Sequence, residues 1–229
     1  MNPVFCAVDT PDLAEAEKLV DTVRGTVGGI KLGLEFYMAH GAVGYRAIAA
    51  KGLPIFLDLK LHDIPNTVAG AIGSLLPLQP AFITIHAAGG AAMLRAAAGT
   101  VAKAGATRPK LLAVTVLTSL DKTDLASIGQ DTDTTQQVVR LARLAKESGI
   151  DGAICSPEEI PALRTALGQD FILMVPGIRP AWADANDQKR TLTPRQACDA
   201  GADYLVIGRP ITKDKHPAQA AQRIAAELA

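Results

Sequence analysis

Apolar and polar positions along this chain are organised as eight repeats of one short and one longer unit. The short units are nearly unbroken apolar runs: Val4–Val8, Gly29–Gly33, Ile55–Lys60, Phe82–His86, Leu111–Leu117, Gly152–Cys155, Phe171–Val175 and Tyr204–Ile207. Continuous apolar character of this length predicts parallel strands buried on both faces. The longer units are Ala- and Leu-rich and carry helix start signals. Asp12 precedes Leu13–Val23, Asp133 precedes Thr134–Ser148, and Ser156-Pro157 opens Glu158–Leu167 with proline in the first turn. Glycine after Ala104 and after Ser148 marks helix ends. A short seventh helix is expected over Pro194–Ala200 and a last one over Pro217–Leu228.

Eight strand–helix units with no composition break between them predict one α/β domain over residues 1–229, a single (β/α)8 TIM barrel. The length of 229 residues agrees with that architecture. A doubly wound open sheet is the structural alternative, but no GxGxxG follows the first strand. Lysine plus arginine equal aspartate plus glutamate at 23 each, and aromatics make up only 4%. Neither feature suits a nucleic-acid surface or a base-stacking platform, so no nucleic-acid partner is expected. The apolar runs are too short to span a bilayer, and the N-terminus does not read as a signal peptide. Cys6, Cys155 and Cys198 are scattered without CxxC spacing, so they read as buried small residues of a cytoplasmic protein.

In a barrel the chemistry sits at the carboxyl ends of the strands. Those ends carry Asp9, Lys31, Asp58 with Lys60, His86, the Pro176–Arg179 segment and Gly208-Arg209. Strand alternation puts Asp58 and Lys60 on one face and Leu57, Leu59 and Leu61 on the other, and the same logic turns Lys31 inward. Asp63 falls just past the strand end. Two lysines and two aspartates form a network without net charge, which lowers the cost of burying each member. Such a network suits a proton-donating Lys60, and it equally suits a structural ion-pair plug at the barrel mouth. Arg209 after exposed backbone at Gly208 fits a phosphate site or a surface salt bridge, and Asp9 and Thr118 fit ligand contacts or loop anchoring. His62 and His86 lack a partner at ligand spacing and read as structural, and no metal site is expected.

Asp58, Lys60 and Asp63 in Asp-x-Lys-x-x-Asp spacing, followed by Ile64-Pro65-Asn66-Thr67, resemble the signature of the orotidine 5'-monophosphate decarboxylase family. Ala7-Val8-Asp9, Ile30–Gly33, Val114–Ser119, Val175–Pro180, Asp187–Arg190 and Ile207–Thr212 match that family in order, with no departure at a motif position. The resemblance covers essentially the whole chain and is closest to bacterial members. It implies decarboxylation of orotidine 5'-monophosphate to UMP without metal or cofactor. Lys60 is then the proton donor to C6, Asp58 lies against the departing carboxylate, and Lys31 and Asp63 complete the charged tetrad. It further implies a homodimer in which Asp63 and Thr67 reach the neighbouring site. Substrate contacts would come from Asp9, Ile64, Thr118, Arg179, Gln188, Gly208 and Arg209, with Gln188 gripping phosphate.

The alternatives are a magnesium-dependent sugar-phosphate decarboxylase or aldolase of the same superfamily, and a non-enzymatic phosphate-ligand sensor. The sister enzymes resemble one another in placing a carboxylate on the second strand, where this chain has Lys31. Trp182 and the Ala-rich helices suggest no chemistry of their own.

Overall fold

A computed structural model describes residues 2–183 and 191–228. Eight parallel strands close into a barrel in sequence order: β1 (Val4–Val8), β2 (Gly29–Gly33), β3 (Ile55–Leu61), β4 (Phe82–His86), β5 (Lys110–Val114), β6 (Gly152–Ile154), β7 (Ile172–Val175) and β8 (Tyr204–Ile207). The ring closes through β1 and β8, with Phe5 opposite Val206. The helices are α1 (Leu13–Val23), α2 (Leu34–Ala49), α3 (Pro65–Leu75), α4 (Gly90–Ala102), α5 (Lys122–Ser127), α6 (Thr134–Glu147), α7 (Ile160–Leu167), α8 (Pro194–Asp199), α9 (Arg209–Thr212) and α10 (Pro217–Leu228). The expected barrel is therefore the observed one, and the open-sheet alternative is excluded by closure.

The start signals act as expected. Asp12 accepts from the Glu15 amide at 2.9 Å and Asp133 from the Gln136 amide at 3.0 Å, each satisfying an amide the helix cannot bond. Pro157 opens a single 3-10 turn, Pro157–Glu159, ahead of α7. The fifth strand is shorter than the expected Leu111–Leu117. Its neighbours end with it, His86 facing Val114 on one side and Ile154 on the other. Beyond that point Thr115 has no ladder to join, and its hydroxyl donates to the Ile154 carbonyl at 3.1 Å.

Alternation divides the core into two layers. Outward-facing Val4, Cys6, Val8, Ile30, Leu32, Leu57, Ile83 and Ile85 pack against the helices. Inward-facing Phe5, Phe56, Phe82, Leu112, Met174 and Val206 fill the barrel. Aromatic rings are scarce in this chain, yet four of them meet there. Phe5 contacts Phe82 edge-to-face at 5.5 Å between centroids, and Phe82 contacts Tyr204 at 5.1 Å. Phe56 completes the cluster, and two residues further along the same face is Asp58. The charged network of the barrel mouth thus stands on a packed aromatic floor.

Candidate active site

Asp9, Lys31, Asp58 and Lys60 meet at the carboxyl end of the barrel in a cavity of about 280 Å³. They form a chain of alternating charge. Lys31 Nζ lies 2.9 Å from Asp9 Oδ1 and 3.8 Å from Asp58 Oδ2, and Lys60 Nζ lies 2.8 Å from Asp58 Oδ2. Lys31 and Asp58 are buried, whereas Asp9 is exposed at the rim. Gly33 leaves room for this chain. A Cβ on it would approach Lys31 Nζ to 3.0 Å and Asp9 Oδ1 to 3.3 Å. The burial of Lys31 and Asp58 is tolerable because each has an opposite charge beside it.

The third strand does more than alternate. Leu57 pairs with Ile83 and Leu61 with Ile85, so Asp58, Leu59 and Lys60 stand opposite Thr84 alone. This bulge leaves Lys60 in the left-handed region at φ 50°, a conformation costing an L-residue about 1–3 kcal/mol. The fully buried Thr84 hydroxyl holds the bulge together. It accepts from the Lys60 amide at 2.9 Å and donates to Asp58 Oδ1 at 2.9 Å. Asp58 is therefore fixed through both carboxylate oxygens, one by Thr84 and the other by Lys60. Sequence spacing predicted the inward direction of Asp58 and Lys60 but not this strained geometry.

Asp63 does not join the network within one chain. It is exposed, and its Oδ1 accepts from the Ile64 amide at 2.7 Å. Ile64 and Thr67 are exposed beside it, at the start of α3. The other expected contact residues converge: Thr118, Arg179, Gly208 and Arg209 all line the cavity with Asp9. Arg179 is buried, with Nη1 donating to its neighbour Ile178 carbonyl at 2.9 Å. Gln188, with Asp187, Lys189 and Arg190, lies outside the described residues. Trp182 faces Arg223 of α10 with the guanidinium 4.0 Å from the ring centroid.

Two cavity residues, Ile154 and Cys155, carry no functional signal in the sequence. Val116, Leu117, Ile154, Cys155, Pro176 and Gly177 supply an apolar wall opposite the charges. Cys155 is buried, and burial first, then nearby Glu159, pushes its thiol well above 9.0. It stays protonated and packs as an apolar group, not as a nucleophile. Ser156, the next residue, has a buried hydroxyl without a hydrogen-bond partner among the described residues. The result is a cavity with charge on one wall, apolar surface on the other, and two arginines, buried Arg179 and exposed Arg209, in its lining.

The sequence model described as "Orotidine 5'-phosphate decarboxylase / HUMPS family" matches residues 2–224. The orotidine 5'-phosphate decarboxylase of Paramagnetospirillum magneticum is 53% identical, with 100% of this chain and 99% of that protein aligned. Among solved structures, an uncharacterised conserved protein of Geobacillus kaustophilus superposes with a TM-score of 0.87 at 34% identity, covering 99% of this chain and 100% of that one. Orotidine 5'-phosphate decarboxylase of Lactobacillus acidophilus superposes with a TM-score of 0.84 at 36% identity, covering 100% of this chain and 99% of that one.

Proposed function

Because this chain belongs to the orotidine 5'-phosphate decarboxylase / HUMPS family, we propose that it decarboxylates orotidine 5'-monophosphate to UMP and carbon dioxide without metal or cofactor. The observation that carries this reading is Lys31 on the second strand. Its ammonium bridges Asp9 and Asp58, the carboxylates a divalent cation would otherwise draw on, and it repels such an ion. The charged wall then serves the chemistry directly. As the bond from C6 to the carboxylate breaks, its electron pair stays on C6. The Lys60 ammonium faces that developing charge from a preorganised site and delivers its proton to C6, after which solvent reprotonates the amine. Asp58 holds Lys60 in place and lies against the departing carboxylate, while the apolar wall and aromatic floor keep the site poor in water.

Gly208 and Arg209 bind the phosphate with Gln188 and Arg179, at the position barrel enzymes commonly use for phosphate. Asp9 contacts the ribose and Thr118 the pyrimidine side. Asp63, Ile64 and Thr67 serve the neighbouring subunit of a homodimer. Their exposure, together with exposed Leu34 and Met38 on α2, supports that arrangement. The three free cysteines suit a cytoplasmic enzyme. No helix among the described residues is long and apolar enough to cross a membrane. Decay of orotidine 5'-monophosphate absorbance, followed with excess EDTA and again with excess magnesium, tests the reading. Equal rates in both are expected; activity that appears only with magnesium, or only on a sugar phosphate, would overturn it.

A further inference from the structure

His62 and His86 belong neither to the charged chain nor to the cavity wall, yet they close off the bulge that carries Lys60. Their rings are stacked, with centroids 5.2 Å apart and planes 29° from parallel. His62 comes two residues after Lys60, and His86 two residues after Thr84. The His62 ring also lies against the turn that follows β4, since a Cβ on Gly89 would come 3.4 Å from its Cδ2. The bulge is therefore tied to β4 twice, by the Thr84 hydroxyl within the barrel and by the imidazole pair at its rim.

We propose that the stacked His62–His86 pair is a positioning element for Lys60, clamping the outer end of the β3 bulge to β4 so that the ammonium keeps its place against the reacting carbon. The inference rests on the decarboxylase reading given above. A left-handed residue persists only where its surroundings over-determine it. Thr84 fixes the Lys60 amide, but the chain beyond Lys60 runs into the exposed segment His62–Thr67. Without the pair, that end of the bulge would be free to relax toward ordinary strand geometry and carry Lys60 away from Asp58.

The clamp works only while the His86 imidazole is uncharged beside its neighbour. Burial pushes the His86 imidazole below its ordinary 6.5, and nearby His62 and Lys60 push the same way, with Asp58 opposing them. Asp58 and Lys60 come from β3 and His62 directly follows it, and Lys31 of β2 reaches the group through Asp58. Asp63 turns its carboxylate to the Ile64 amide. Residues 87–93 of the turn and the start of α4 carry no charge, nor does Val114 opposite on β5. The buried face of α6 is Gln137, Val138, Leu141, Ala142 and Ala145, all uncharged. The clamp is thus intact above the ordinary imidazole value and is lost as pH falls through the lower value of His86.

The test compares kcat and KM for orotidine 5'-monophosphate from about pH 5 to about pH 9, with thermal midpoints, in wild type and in His62→Ala, His86→Ala, His62→Phe and His86→Phe. The alanine variants should lose about tenfold to a hundredfold in kcat, with KM changed by less than about threefold. The phenylalanine variants, which restore a ring pair, should recover most of that loss. In His86→Phe the acid-side fall of kcat should also move to lower pH. A His86→Phe profile superimposable on wild type would overturn the proposal, as would folded alanine variants altered in KM alone. If the alanine variants do not fold, the profile of His86→Phe decides. Wild-type protein without turnover would remove the decarboxylase reading and this inference with it; active wild type with unchanged variants removes the inference alone.

Discussion

Thr84 is a single hydroxyl carrying two bonds, and replacing it measures how much of the site is built by the bulge. Thr84→Val keeps the shape of the side chain but removes both the donor to Asp58 Oδ1 and the acceptor for the Lys60 amide. A hydrogen bond to a charged group contributes about 1.5–3 kcal/mol and one to a backbone amide about 1 kcal/mol. Water from the cavity can reach Asp58 and offset part of the loss, so the expected destabilisation is about 2–3 kcal/mol. With a urea m value of about 3 kcal/mol/M, the unfolding midpoint falls by nearly 1 M. Thr84→Ser keeps the hydroxyl and loses only a methyl group, worth about 1 kcal/mol. The difference between the two variants isolates the hydroxyl from the packing, and kcat should fall by about tenfold or more in the valine variant. Equal stabilities and equal kcat in the two variants would refute the claim that Thr84 holds the bulge.

Two further outcomes follow from the same structure. Mixing inactive Lys60→Ala and Asp63→Ala subunits should restore part of the activity if Asp63 serves the neighbouring site; no recovery despite demonstrated subunit exchange would place Asp63 elsewhere. Cys155, held protonated well above 9.0, should resist iodoacetamide at about pH 8 in the folded protein and react fully in urea. Because its value is raised, unfolded chains ionise first, and Cys155 favours unfolding increasingly as pH rises above 9.0. Stoichiometric labelling of the native protein would show that the cavity wall opens.

The barrel was legible in the chain because its strands are buried on both faces, which leaves apolar runs with little ambiguity. Helix starts at Asp12 and Asp133 were legible for a local reason, since a cap bonds an amide three residues away. The inward direction of Lys31, Asp58 and Lys60 followed from alternation alone. The bulge did not, because its cause is Thr84 on the next strand, a residue 24 positions from Lys60 with nothing in its own surroundings to mark it. The pairing of His62 with His86 is hidden from the sequence for the same reason. They are as far apart in sequence as Lys60 and Thr84, and only barrel register stacks them. The true end of β5 depends on where β4 and β6 stop, so an apolar run through Leu117 overstates it. Asp63 was grouped with the tetrad by spacing, while within one chain Asp9 takes the fourth place beside Lys31.

The account stands or falls on the role of Lys60. Purified wild type and Lys60→Ala should be compared side by side on orotidine 5'-monophosphate, in excess EDTA, by ultraviolet absorbance and with UMP quantified. Wild type should convert substrate to UMP stoichiometrically, and Lys60→Ala, with an unfolding midpoint near that of wild type, should be slower by about 100-fold to 10,000-fold. Inert wild type, or a folded Lys60→Ala variant that keeps most of the activity, would contradict it.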